Sequence, residues 1–232
     1  MATLTAPTII DEICNLARQQ GRRIRFLTEP LQRGRAITWI EQHWLRNQIL
    51  SAVLRPAWLS RCDDAALIDK TIQQMRQELV YDEAITRSHR QLLIEFAAAM
   101  GLSGARLDAV RPLVSSRVCF HVLENLARSQ SWMHGWLATS LGEFLLLETD
   151  ALKPETWRRA FGLSEADVFF LTYHQKADED HAGREVWAPL LRHVKTSEQA
   201  GRLVAAAEDV LAALQLFYDG IVAHGDARAD LP

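Results

Sequence analysis

His174, Asp178 and His181, in the stretch "YHQKADEDHAGREVW" (173–187), are of types that bind metals and are spaced four and three apart. On an α-helix at about 100° per residue they fall within roughly 60° of one another. Glu179 and Asp180 point elsewhere. Two imidazoles and a carboxylate on one helical face suit Fe(II), Mn(II) or Zn(II), as in bundles whose inward-facing side chains build a metal site. A charged surface helix with incidental histidines shows the same pattern, so the triplet needs partners on other helices to become a site.

Two segments offer them. In "ELVYDEAITRSHRQLL" (78–93), Asp82 and His89 are seven apart, two helical turns, and share a face if the helix is regular. Glu83 is the alternative if the helix is bulged or broken, and Glu78 shares the Asp82 face but lies further away. In "SLGEFLLLETD" (140–150), Glu143 is embedded in an apolar run, where a carboxylate is costly to bury unless paired or metal-bound. Glu148, beside Thr149 and Asp150 at the helix end, reads as closer to solvent.

The elements that must position these residues read as helices nearly throughout. Alternating β-branched runs and Asn-Gly or Asp-Gly turns are missing from the sequence. Helices are expected after Pro7, through "RAITWIEQHWLRNQILSAVL" up to an interruption at Pro56, and over the long pattern from Asp63 to Met100, a break near its middle being admitted. Others follow from Ser115 to Glu148, through "ETWRRAFGL" to Gly162, from an N-cap at Ser164, and over the last apolar stretch. This reading gives an all-α bundle of about seven or eight long antiparallel helices, one domain over 1–232 with 1–7 and 225–232 frayed.

With 232 residues, 24% charged and a net charge of −3, the chain lacks a nucleic-acid footprint. It opens on no basic segment followed by an apolar run, and holds no uninterrupted apolar stretch near the roughly 18 residues that span a bilayer. Cys14, Cys62 and Cys119 form neither a disulfide framework nor a CxxC pair. The expectation is a reduced cytoplasmic protein without membrane or nucleic-acid partners.

An acid, six residues, then His; a central Glu; then His-x3-Asp-x2-His: this order resembles the heme-oxygenase-like diiron oxidases, on a fold shared with thiaminase-II and the pyrroloquinoline-quinone synthases. "SHRQLLIEFAAAMGL" is similar to that family's His-containing helix, and "FGLSEADVFFLTYHQKADEDHAGR" to its aromatic-rich helix with the triplet. The likeness covers roughly residues 25 to 220. It implies a heme-oxygenase-like bundle holding two Fe(II) ions, with Mn a substitute and O2 the co-substrate. By this resemblance one iron takes Asp82 (or Glu83), His89 and Glu143, and the other His174, Asp178 and His181. Glu143 lies 31 residues before the triplet, close to the family interval, whereas Glu148 fits the local "Leu-Gly-x-x-x-x-x-Glu" text better.

The implied activity is oxidation of a small carboxylate-bearing metabolite, an amino acid or derivative, in biosynthesis, with an external electron donor and a homodimer admitted. The alternatives are a cofactorless or hydrolytic enzyme on the same fold, or a helical interaction protein. Arg111, Arg117 and Arg128 are candidates to hold the carboxylate. Trp132, Trp136, Phe120, Phe144, Phe169, Phe170 and Tyr173 are candidates to line the pocket. Cys119 reads as a buried inert thiol and His43 as a packed residue. His121 and His134 are candidates to support the metal ligands, and His193 and His224 read as surface residues.

Overall fold

Apolar residues recur at helical spacing along nearly the whole chain, and the fold follows that period. The computed structural model describes residues 6–129, 131–147, 152–182 and 187–228, the side chains of 6, 7, 129, 147, 176–182, 188 and 189 lying outside that description. In order it runs α1 (Ala6–Gly21), α2 (Arg25–Thr28), α3 (Arg33–Ile49), a π-helical turn (Leu50–Leu54), α4 (Arg55–Leu59), α5 (Ala65–Leu79) and α6 (His89–Ala99). Then come α7 (Gly104–Ala109), α8 (Val114–Ser129), α9 (Trp132–Leu147), α10 (Pro154–Phe161), α11 (Phe169–Ala182), α12 (Ala188–His193) and α13 (Ser197–Asp226). Among the described residues there is no strand, and Asp82 and Arg87 form an isolated bridge.

α13 is the 30-residue spine. Thr196 accepts from the Gln199 amide while the Gln199 side chain returns to the Thr196 amide, a capping box that satisfies two orphan donors at once. Its buried stripe, including Leu203, Val210, Leu214, Phe217 and Ile221, packs against α8, α3, α9 and α1. Where α3 crosses α13, Gly34 meets Gly225 backbone to backbone: a Cβ at Gly225 would lie 2.5 Å from Arg35 Cα. Trp39, Trp58, Trp157, Trp187, Phe96 and Phe217 are among the fully buried side chains of the core. No helix of the described residues is long and apolar enough to cross a membrane.

The elements are more numerous and shorter than the sequence suggests, for local reasons. The 63–100 pattern breaks at Leu79 and resumes at His89, where Ser88 accepts from the Gln91 amide at 3.2 Å and caps α6. The expected 115–148 helix is two, α8 and α9, with Ser131 just ahead of the second. Pro56 interrupts nothing. It cannot donate to the helix ladder and its ring crowds the carbonyl four residues back. The π turn just before it opens the ladder, the Arg55 amide donating to Leu50, five residues back, and the rod continues into α4. Residues 225–228, expected to fray, are held: Arg35 Nη2 donates to Asp226 at 2.9 Å and Arg228 Nη1 to Glu41 at 2.7 Å.

Asp64 ties two helices together. Its Oδ1 accepts the Leu67 amide at 3.1 Å as the α5 N-cap, and its Oδ2 accepts from Arg192 at 2.8 Å and His193 at 3.0 Å beside α12. Arg192, then His193 and the Leu67 amide, hold its carboxyl well below the usual range. A folded-state pKa below the unfolded one gives stability that is present above about pH 4 and lost as the pH falls below it. Asp64→Asn is therefore expected to lower the melting temperature at pH 7 by about 2–4 °C, roughly 1 kcal/mol. That gap should close towards pH 3, and a gap of the same size at pH 3 contradicts the linkage.

Candidate metal centre

Glu78 sits in the last turn of α5, one residue before the helix ends. The chain then doubles back. The Asp82 amide donates to the Arg87 carbonyl at 3.0 Å, Asp82 Oδ1 accepts the Ala84 amide at 2.9 Å, and Thr86 turns the corner at φ +57°. This reversal sets His89, the first residue of α6, over Glu78. The imidazole lies between two carboxylates, its Nδ1 3.3 Å from Glu78 Oε1 and its Nε2 2.9 Å from Asp82 Oδ2. Tyr173 of α11 donates its hydroxyl to the same Asp82 oxygen at 2.6 Å.

His174 follows on α11. Its Nδ1 lies 2.9 Å from the Phe170 carbonyl, which can only accept, so the proton is on Nδ1 and the lone pair on Nε2. The ring lies against Phe170 at 4.2 Å and edge-on to His89 at 4.9 Å between centroids. One ligand atom from each of Glu78, His89 and His174 falls within a 4.8 Å span. Three helices thus deliver one carboxylate and two imidazoles to a common point.

The electrostatics match that arrangement. Burial opposes ionisation of Glu78, but the His89 bond and the charges of His89, His174 and Arg55 outweigh it and hold the carboxyl well below the usual range. Burial likewise pulls His89 down, while Glu78 and Asp82 raise it further, so the net shift is upward. Asp82 is lowered: burial raises it, but bonds from Tyr173, His89 and the Ala84 amide win. Burial and then Asp82 push the Tyr173 hydroxyl up to about 12, so it remains a donor. Two ionised carboxylates, Asp82 buried and Glu78 half-buried, face two imidazoles. By charge and by donor chemistry these residues could hold a cation, and the mixed carboxylate and imidazole set suits ferrous iron.

The residues singled out by sequence divide as follows. His89 and His174 come together. Asp82 is buried against the Nε2 edge of His89, the edge turned away from Glu78; two turns of a helix do not put it there, because no helix spans 80–88. Glu83 is exposed and pairs with Arg76. Glu143 lines the same cavity as Glu78 and His174, and its Oε1 accepts from Arg55 at 2.8 Å and Gln74 at 3.3 Å. Asp178 and His181 are on α11 with His174, but their side chains lie outside the described residues, as does Glu148 altogether. Glu78 is the residue that sequence reasoning passed over, since a regular helix would hold it too far from His89.

Several smaller expectations change too. Arg111, Arg117 and Arg128 are exposed, Arg128 pairing with Glu124, so none reaches this cavity. Phe120 packs on Phe217, away from the centre, whereas Phe170 and Tyr173 touch its histidines. His193 is held by Asp64 rather than left on the surface. His43 stacks on Trp39 at 4.5 Å, as a packed residue should, and also faces the cavity. Burial pushes the Cys119 thiol up to about 12, which suits an inert core residue.

Comparison with known proteins agrees with this architecture. No curated protein matches the sequence. Among solved structures, the chain is similar to a TenA homolog from Pseudomonas syringae pv. tomato, with 13% identity and a TM-score of 0.71 over 94% of this chain and 92% of that one. It is similar to a domain of unknown function with a heme oxygenase-like fold from Shewanella denitrificans (14%, TM-score 0.69, 94% and 89%). It is also similar to a CADD-like protein of unknown function from Nostoc punctiforme (11%, TM-score 0.62, 96% and 98%). At these identities the likeness is one of fold. Residues 42–216, well over half of the sequence, match the model of the family described as iron-containing redox enzyme. By that match and by its heme-oxygenase-like all-α fold, the chain belongs to the iron-containing redox enzyme family.

Proposed function

We propose that the protein is an O2-dependent non-heme diiron oxidase acting in the cytoplasm on a small carboxylate-bearing metabolite, an amino acid or a derivative, in a biosynthetic pathway. The observation that carries this reading is the convergence of Glu78, His89 and His174 from three helices within 4.8 Å, His89 buried and the other two half-buried, in a chain of an iron-containing redox family. In this reading Glu78, His89 and His174 hold iron, Mn(II) being a substitute. Asp178 and His181, on the helix that carries His174, complete a two-metal set with Glu143, while Asp82 supports the set through His89. Bound ferrous iron supplies the electrons that activate O2.

The chain's own residues prepare that chemistry. The Phe170 carbonyl fixes the His174 tautomer so that Nε2 is the coordinating atom. Tyr173 and the Ala84 amide hold Asp82, and Asp82 holds His89, so the imidazole cannot rotate without breaking a chain of buried hydrogen bonds. Arg55 neutralises Glu143 until a metal competes for it. The cavity these side chains line is narrow, about 30 Å³.

Anaerobic titration with Fe(II) tests the reading directly. Two ions per chain are expected, followed by O2 uptake at an electrode that a suitable carboxylate metabolite accelerates. One ion per chain overturns the two-iron part. No binding overturns the whole proposal and favours cofactorless chemistry on this fold.

A further inference from the structure

Of the buried side chains among the described residues, three are arginines: Arg35, Arg46 and Arg55. Two are matched in charge. Arg35 is clamped by Glu29 and Asp226, and Arg55 by Glu143, with Ser51 accepting a further bond. Arg46 is 4% exposed, and no carboxylate pairs with it among the described residues; its Nε is buried without a hydrogen-bond partner. An unmatched cation in a protein interior is unfavourable. Among the described residues, then, two buried arginines meet carboxylates and Arg46 does not, which makes it the one suited to an anionic ligand.

Its position says which anion. Arg46 lines the cavity that also holds Glu78, Glu143 and His174, with Asn47 and Ser51 on the wall between. Room for the guanidinium is made by Gly142, where a Cβ would lie 2.4 Å from Arg46 Nη2. His43, on the same wall, stays neutral because burial and then the Arg46 charge depress its pKa. Arg46 is therefore the free cation of this cavity among the described residues. A planar guanidinium presents parallel N–H donors that match a carboxylate in two-point contact, and it carries its charge at every working pH.

We propose that Arg46 is the receptor for the substrate's carboxylate, gripping it at one end of the cavity while the rest of a small monoanionic molecule extends towards Glu78 and His174. The assignment rests on reading Glu78, His89 and His174 as the reacting centre. It makes Arg46 a binding residue that sets which end of the substrate meets the metal.

The probes are butyrate and its neutral isostere butyramide, followed by saturation-transfer NMR on the metal-free full chain. Wild type should bind butyrate and discriminate against butyramide by about tenfold or more, as a charge-assisted pair requires. Arg46→Met should lose that discrimination, and Arg46→Lys should keep part of it. Gly142→Ala, which crowds the guanidinium without removing it, should weaken butyrate in the same direction and serves if Arg46→Met does not fold. Equal binding of the two probes by wild type, or unchanged butyrate binding by a folded Arg46→Met, overturns the assignment. Because these readouts need no iron, and Fe(II) titration of Arg46→Met should match wild type, failure here is distinct from failure of the metal reading.

Discussion

Fe(II) affinity should fall by about 100-fold or more when His174 is replaced by alanine, measured by anaerobic competition with a coloured chelator. The expectation comes from geometry: His174 is the one donor of the cluster whose tautomer is fixed by a backbone bond to Phe170, and among the described residues no other histidine, cysteine or carboxylate of α11 joins Glu78 and His89. Glu78→Gln should fall by a similar factor, since the amide keeps the shape and removes the charge. Asp82→Asn separates two roles. If Asp82 acts by orienting His89 through Nε2, the amide oxygen still accepts and the loss should be about tenfold, the scale of a supporting residue. A loss as large as that of His174→Ala would make Asp82 a ligand instead. Glu83→Gln, at an exposed pair with Arg76, should leave affinity unchanged. Wild-type affinity in a folded His174→Ala protein contradicts the site.

Trp157→Ala is expected to be the most destabilising single substitution described here, about 3–5 kcal/mol, because a fully buried indole leaves a cavity its neighbours cannot close. Trp157 of α10 lies at 5.5 Å from Trp39 of α3, 5.1 Å from Phe96 of α6 and 5.6 Å from Phe161, centroid to centroid. Phe96 stacks on Phe170 at 5.6 Å, and Phe170 on His174. The indole therefore ends a column of rings whose other end is His174. For a chain of this size the cost corresponds to a fall in melting temperature of roughly 6 to 20 °C. Fe(II) affinity should weaken alongside it, while Trp157→Phe should recover most of both. A melting temperature within about 2 °C of wild type would show that the column bears no weight.

The helical class and the heme-oxygenase-like bundle were legible in the sequence because both rest on periodicity, which packing obeys. So was the pairing of the His89 and His174 segments, since the types of residue at those positions are uncommon in an ordinary core. The path between Glu78 and His89 was harder. Counting turns assumed one helix, yet Ser88 and Gln91 carry the Ser-x-x-Gln spacing of a helix start, and Val80, Tyr81, Ile85 and Thr86 are weak helix formers just ahead of it. Weighted above the count, those signals place the break and bring Glu78 into reach. Arg46 has no such signal. Its run, "QHWLRNQIL", is that of any amphipathic helix, and its isolation in the interior arises only because α3 is enclosed on nearly every side.

The π turn at Leu50–Leu54 bears on how the length of this chain is read. Arg46 and Arg55 are nine residues apart, which on a regular helix places them about 180° from each other. Both nevertheless line one cavity, because the wider turn takes back most of one residue's rotation. The segment is thus one residue longer than a straight helix would need, and that extra residue works as a spacer. Loss of one residue from the turn would let it close into a regular helix, with Arg46 and Arg55 then eight apart and about 80° from each other, close to their present relation. The turn thus stores one residue of slack, so that a single deletion, which in a straight helix would rotate all that follows, is absorbed here.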